Sequence, residues 1–148
     1  MRNYPLYNHP SITNFKQLIE MNAEAEPTNS AFRYRDGKQI VSVTYKQFRA
    51  DIYSLSAYFL QGGLNGAKIA VIGENSYPWI LTYFATVLSW NVIVPIDKEL
   101  SAKDIADLLQ RCDATALVYA ESYSDIGSAM LQGEYVTTIF NIGVVAFL

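Results

Sequence analysis

A chain of 148 residues is long enough for one domain, which at this size buries roughly 70% of the surface its unfolded form exposes. Its 11 lysines and arginines are scattered singly against 14 acidic residues, leaving a net charge of -3 and no basic stripe of the kind that grips nucleic acid. One cysteine excludes an internal disulfide framework, no basic start leads into an apolar leader at Met1-Arg2-Asn3-Tyr4-Pro5, and no apolar run approaches the ~20 residues of a transmembrane segment, so the expected compartment is the cytoplasm.

Residues 1–13 hold prolines and little periodicity and are expected to form an irregular arm, in which His9 has no second histidine to complete a metal or acid–base pair. Asn14 and Gln17 make a capping pair for a short helix with the stripe Phe15, Leu18 and Ile19, ending before Pro27. Ala31–Arg35 and Ile40–Val43 flank Asp36-Gly37, a pair tolerant of positive φ, and predict an antiparallel hairpin. Thr44 and Gln47 form a second capping pair. After it Tyr45, Phe48, Ile52, Leu55 and Phe59 recur at spacings of three and four on one helical face, up to Gly62-Gly63. The glycines from Gly62 to Gly66 resemble a phosphate loop before Lys68. Ala67, however, precedes that lysine, and the segment closes a helix and opens a strand, so a helix terminus is the better reading.

The stretch from Lys68 to Leu100 organises the rest. Ile69-Ala70-Val71-Ile72 is a short, β-branched apolar run, the pattern of a central parallel strand buried on both faces. Gly73 ends it, and Pro78 fits the first turn of a helix that starts near Tyr77 and runs to Trp90 with almost no polar face; Asn91 is the expected left-handed stop. Val92–Ile96 is the next strand, with Pro95 confining it to a strand end or sheet edge. Ser101 and Asp104 cap a helix with the stripe Ile105, Leu108, Leu109 and Cys112, where a small buried thiol is a better reading than a nucleophile. Thr115–Tyr119 is a strand, Ser124–Gln132 a short helix and Val136–Phe140 a further strand; the apolar end from residue 141 fits neither pattern uniquely. The fold class is therefore α/β, a mainly parallel sheet flanked by helices with an antiparallel hairpin before it.

Chemistry-bearing residues are sparse. Glu74, Asn75 and Asp97 follow the carboxyl ends of predicted parallel strands, where open α/β sheets bind ligands. The plainer account is that Asn75 or Ser76 caps the helix and Asp97 fixes a turn. A dinucleotide fingerprint fails, because Gly73 has no second or third glycine after it, and no serine stands in a glycine-flanked elbow.

Several segments together carry a family likeness. Val43-Thr44-Tyr45-Lys46-Gln47-Phe48 resembles the early L-T-Y-x-E-L motif of the adenylate-forming superfamily of acyl-CoA synthetases, adenylation domains and luciferases. Val94-Pro95-Ile96-Asp97 is similar to the end of its second motif, L-K-A-G-x-x-x-V-P-I-D, and Lys68–Ser76 resembles the first core strand with its Glu-Asn-Ser corner. The likeness runs in order from about Asn14 to Ser122. Arg35-Asp36-Gly37-Lys38, Glu74-Asn75-Ser76 and Pro95–Leu100 look most like bacterial long-chain fatty acid CoA ligases. Ser89-Trp90-Asn91 departs from the family, standing where members often carry lysine, alanine and glycine.

The resemblance implies a two-step reaction. A carboxylate attacks the α-phosphate of Mg-ATP, giving an acyl-adenylate and pyrophosphate; a thiol, usually that of CoA, then displaces AMP. It also implies that residues 14–148 are part of an amino-terminal subdomain truncated before the phosphate loop. On that reading ATP, Mg and CoA belong to the intact enzyme, none is expected bound here, and no residue of this chain receives a catalytic or metal-binding role. The charged fraction of 17%, against about 25% in an average domain, then reflects a surface meant to be covered by the missing remainder, through which this chain would self-associate. Two other classes stand beside it: a free-standing nucleotide-binding α/β module using the Glu74-Asn75-Ser76 corner, and a non-catalytic interaction domain.

Overall fold

The computed structural model describes residues 10–145, so His9 and the end of the apolar tail lie outside the described residues. In chain order the elements are α1 (Phe15–Ala25), β1 (Ser30–Asp36), β2 (Gln39–Thr44), α2 (Tyr45–Gln61), β3 (Lys68–Ile72), α3 (Tyr77–Leu88), β4 (Val92–Pro95), α4 (Ala102–Arg111), β5 (Ala116–Tyr119), α5 (Ser124–Gln132), β6 (Thr138–Asn141) and the single turn α6 (Ile142–Val145). A 3-10 turn at Glu121–Tyr123 leads into α5. β1 and β2 form the expected antiparallel hairpin, and the other four strands form one parallel sheet in the order β4-β3-β5-β6.

The alternation of side chains along β3 explains the layers. Ile69 and Val71 point into one core with Phe48, Ile52, Leu55 and Phe59 of α2 and Leu81 and Ala85 of α3. Ala70 and Ile72 point into the other, with Ile105 and Leu109 of α4 and Met130 of α5. Ile52, Phe59, Ile69, Ile72, Ile105 and Leu109 are fully buried, and burial of each such side chain stabilises the fold by about 1.5–3 kcal/mol. Helices of this chain thus cover both faces of the sheet. The exposed apolar side chains lie instead on the hairpin (Ile40), on α1 and its lead-in (Ile12, Phe15), on α2 (Tyr58, Leu60), around β4 (Trp90, Val92) and on α5 (Leu131).

The helix starts follow the capping chemistry. Gln17, Gln47, Trp79 and Asp104 donate their backbone N–H groups to the side-chain oxygens of Asn14, Thr44, Ser76 and Ser101 at 2.8, 3.2, 3.3 and 3.2 Å. The Gln17 carboxamide reaches back one residue beyond the cap and accepts from the Thr13 N–H at 2.9 Å. α2 ends at Gly62, with Gly63 at φ +80°, as a helix terminus requires.

Several boundaries differ from the sequence reading. The hairpin loop is Gly37-Lys38, one residue later than Asp36-Gly37, because Asp36 pairs with Gln39 and only Gly37 of the loop has positive φ. β4 stops at Pro95, although the Ile96 N–H still donates to the Val71 carbonyl at 2.9 Å. β6 begins two residues late, at Thr138, with buried Val136 as its lead-in.

The largest correction concerns the end of α3. The helix ends at Leu88, and the left-handed residue is Trp90, at φ +61°, not Asn91. Asn91 is held elsewhere. Its Oδ1 accepts from the Ala67 N–H at 2.8 Å, and its Nδ2 donates to the Leu64 carbonyl at 3.0 Å and to Ser89 Oγ at 2.9 Å. Counted back from Val94-Pro95 through the motif's three variable positions, its lysine, alanine and glycine fall on Leu88, Ser89 and Trp90, one residue earlier than the Ser89-Trp90-Asn91 alignment. A left-handed conformation costs an L-residue about 1–2 kcal/mol, and Trp90 is 82% exposed, so little packing offsets it. Trp90→Gly is expected to stabilise the fold by about 1 kcal/mol and raise Tm by about 3 °C, measured by thermal unfolding.

Aromatic contacts tie the hairpin to the helices. Phe32 meets Phe48 and Tyr77 at ring-centroid distances of 4.8 and 5.5 Å, and Tyr34 stacks on Tyr77 at 5.8 Å. The Tyr77 hydroxyl donates to Asp51 Oδ2 at 2.5 Å. Burial, and then this bond, push the Tyr77 phenol well above the ordinary tyrosine range. Because the folded-state value is raised, the stabilisation is complete below pH ~10 and is lost as pH climbs toward the folded value. Tyr77→Phe is therefore expected to flatten the decline in stability above pH ~10, read from urea midpoints across pH 8–11.

Candidate functional site

Parallel strands align their carboxyl ends, and the loops leaving them form one polar rim across the sheet. β3 leaves at Gly73-Glu74-Asn75-Ser76, β4 at Ile96-Asp97-Lys98, and β5 at Ala120-Glu121-Ser122; β6 ends on Asn141.

The chain order decides which junction matters. β3 is followed by β4 on one side of it and then by β5 on the other, and α3 and α5 pack on opposite faces. The topological switch point therefore lies between β3 and β5. There the backbones pinch together: a Cβ on Gly73 would lie 2.8 Å from the Ala120 Cβ, and the Ala120 N–H donates to the Ile72 carbonyl at 3.0 Å. Beyond the pinch the Ser122 hydroxyl donates to the Glu74 carboxylate oxygens at 3.1 and 3.3 Å. One strand further along, the Asn141 Nδ2 donates to the Glu121 carboxylate, while Asn141 Oδ1 accepts from the Gly143 N–H at 2.8 Å.

Asn75 and Asp97 lie on the other side, in a cleft of about 230 Å³ between the ends of β3 and β4, with Trp79, Ile96 and Lys98. Ser76 supplies the cap of α3, which leaves the Asn75 side chain to the cleft. Asp97 shapes its own turn: Oδ1 accepts from the Glu99 N–H at 3.0 Å and its carbonyl from the Leu100 N–H at 3.3 Å. Lys98 lies 3.7 Å from the Glu99 carboxylate.

The fold thus brings two of the three sequence candidates together, Asn75 with Asp97, and directs Glu74 to a different neighbour. Sequence reasoning missed Ser122, Glu121 and Asn141. The signal that reaches them is the strand-end rule applied to β5 and β6 as well as to β3 and β4.

The rim carries Glu74, Asp97 and Glu121 against Lys98, a sign that repels phosphate unless a cation intervenes. Glu74 accepts from Ser122 and Asp97 from its own turn, so the two carboxylates face different neighbours. Among the described residues no three acidic, histidine or cysteine side chains converge on one point. Cys112 is half-buried and donates its S–H to the Leu109 carbonyl at 3.4 Å. Among the described residues no helix is long and apolar enough to cross a membrane.

A family model described as "AMP-binding enzyme" matches residues 19–140. The chain is 29% identical over 108 residues to YngI of Bacillus subtilis, assigned as an acyl-CoA synthetase, an alignment that covers 72% of this chain and 19% of that protein. It is 23% identical over 117 residues to the mitochondrial medium-chain acyl-CoA ligase ACSF2 of Macaca fascicularis, covering 78% of this chain and 19% of the relative. Among solved structures, the N-terminal domain of FACL13 from Mycobacterium tuberculosis superposes with a TM-score of 0.80 over 92% of this chain and 36% of that one, at 19% identity, and shares its fold. The chain spans about a fifth of the length of these two curated relatives.

Proposed function

Because the chain belongs to the AMP-binding enzyme family, we propose that it supplies the amino-terminal α/β part of an ATP-dependent, AMP-forming ligase joining a fatty acid to CoA. The observation that supports this reading is the family match over residues 19–140, which contains Thr44-Tyr45, the Glu74-Asn75-Ser76 corner and Pro95-Ile96-Asp97 in the family's order. The Arg35–Lys38 and Pro95–Leu100 segments favour a long-chain substrate; the medium-chain relative makes chain length the first variable to test. ATP, Mg and CoA act in the whole enzyme, and the cytoplasm is its proposed setting.

In this division of labour residues 14–148 build and orient one wall of the enzyme, while residues outside this chain hold the phosphates. Glu74, Asn75 and Asp97 are rim residues that shape the edge of that wall. Their carboxylates and amide are placed to meet a ligand or another segment of the enzyme, and they carry no bond-making role. Incubated alone with Mg-ATP, palmitate and CoA, the 148-residue chain is expected to release no pyrophosphate above the no-protein control. Turnover by the purified chain would overturn the proposal, as would a coding sequence that continues past Leu148 without a phosphate-loop motif.

The chain alone is also proposed to self-associate through exposed apolar residues, with Ile40, Tyr58, Leu60 and Leu131 as the contributors outside α1 and β4. Sedimentation velocity at rising concentration should show a growing sedimentation coefficient; a constant monomer value would rule this out.

A further inference from the structure

Where α1, the hairpin, α2 and α3 meet there is a cavity of about 190 Å³ that shares no residue with the strand-end rim. α1 lines it with Leu18, Ile19 and Asn22, and the hairpin with Ala31 and Phe32. Tyr45 and Phe48 of α2 and Phe84 of α3 complete the wall. None of these side chains is charged and none is exposed; Ile19 and Phe48 are buried and the others half-buried. The cavity is also held open by fixed parts. Glu20 of α1 accepts from Arg49 Nη1 at 2.9 Å and from the Tyr53 hydroxyl, which ties the first helix to α2 beside it.

Size and lining select the occupant. An apolar cavity of about 150 Å³ stays dry and holds benzene, so this one admits a ring system of about six to ten heavy atoms. It is well below the ~300–1,000 Å³ of a site for a drug-sized or long-chain ligand. Phe32 and Phe84 both stand edge-to-face on Phe48, at ring-centroid distances of 4.8 and 5.5 Å, an arrangement that a further aromatic ring extends. A carboxylate is disfavoured, because no cation lines the wall and burying an unpaired charge is costly. One polar handle remains. Asn22 commits its Nδ2 to the Leu18 carbonyl at 2.7 Å, and its Oδ1 can accept one N–H or O–H from a ligand.

We propose that this cavity binds a small neutral aromatic molecule with one hydrogen-bond donor, of the indole or phenol class. The ring lies among Phe32, Phe48 and Phe84, and the donor meets Asn22 Oδ1. The binding involves no ATP, no carboxylate and no turnover, so its failure and the failure of the ligase reading are read from different measurements.

The test titrates the full 148-residue chain with 5-fluoroindole and follows the ligand by fluorine NMR. A saturable shift is expected, with half-saturation on the order of 0.1–1 mM for so small a ligand. 4-Fluorobenzoate, of similar size but charged, should give none. Asn22→Leu should weaken 5-fluoroindole about fivefold, as loss of one hydrogen bond implies, and leave fluorobenzene within about twofold. Ala31→Leu, which projects an isopropyl group into the cavity, should weaken both ligands about tenfold or more. The unaltered chain supplies the same size test even if Ala31→Leu folds poorly, since the three-ring 2-fluorofluorene should not bind. Four results overturn the proposal: no saturation, as when another part of the chain fills the cavity; equal affinity for 4-fluorobenzoate; saturable binding of 2-fluorofluorene; or equal losses of 5-fluoroindole and fluorobenzene in Asn22→Leu.

Discussion

Replacing Asn91 with leucine should lower the unfolding free energy by about 3 kcal/mol, the largest loss expected from any polar position in this chain. The side chain is 7% exposed and spans two loops that are distant in sequence. It accepts from the Ala67 N–H just before β3 and donates to the Leu64 carbonyl and to Ser89 Oγ at the end of α3. Leucine fills a similar volume but satisfies none of these groups. The Ala67 N–H and the Leu64 carbonyl are then left in an apolar setting, each at about 1–3 kcal/mol before relaxation and water entry reduce the total. Ser89 is part of the same network, its hydroxyl donating to the Ala85 carbonyl at 2.8 Å. Ser89→Ala alone should cost about 1 kcal/mol, and the double variant should fall short of additivity by a similar amount. Urea titration with an unchanged m-value is the measurement; a loss under 1 kcal/mol for Asn91→Leu would show that the clamp is dispensable.

That clamp also marks where the sequence could be read and where it could not. Local signals carried over well. The β-branched run at Ile69–Ile72 is the central strand, the serine, threonine and asparagine caps hold all four long helices of the first 111 residues, and the stripe through Phe48, Ile52, Leu55 and Phe59 is a core face. What failed depended on partners far along the chain. Asparagine after a helix ordinarily suggests a left-handed stop. Asn91 could be recognised as a loop clamp only with Leu64 and Ala67, more than 20 residues away, already in place.

The candidate site divides in the same way. Glu74, Asn75 and Asp97 were found by the strand-end rule, which needs only local strand assignments. The partner of Glu74 is 48 residues away, and periodicity does not say which strand lies beside β3. Only the order β4-β3-β5-β6 separates Glu74, facing Ser122, from Asn75 and Asp97 in their cleft. What covers the second face of the sheet was not legible for a related reason. A strand buried on both faces reads alike whether its second cover is a sheet or helices of its own chain, and here the helices α4 and α5 provide it.

Gly73→Ala is expected to cost about 2 kcal/mol, and the reason bears on what the switch point can bind. The new Cβ would lie 2.8 Å from the Ala120 Cβ, and neither carbon is at the end of a flexible side chain. The two backbones cannot part freely, because the Ala120 N–H is bonded to the Ile72 carbonyl at 3.0 Å. Relief must come from removing the opposing methyl. Ala120→Gly alone should cost under ~1 kcal/mol, and the double variant should recover most of the loss caused by Gly73→Ala, a coupling of about 1–2 kcal/mol in a double-mutant cycle. If the losses simply add, the pinch is not set by these two carbons, and the β3/β5 junction is free to open. If they cancel, the crevice where open α/β sheets ordinarily take their ligands is closed by a glycine–alanine contact and barred by Glu74 and Ser122. Ligand chemistry at this edge of the chain is then confined to the Asn75–Asp97 cleft.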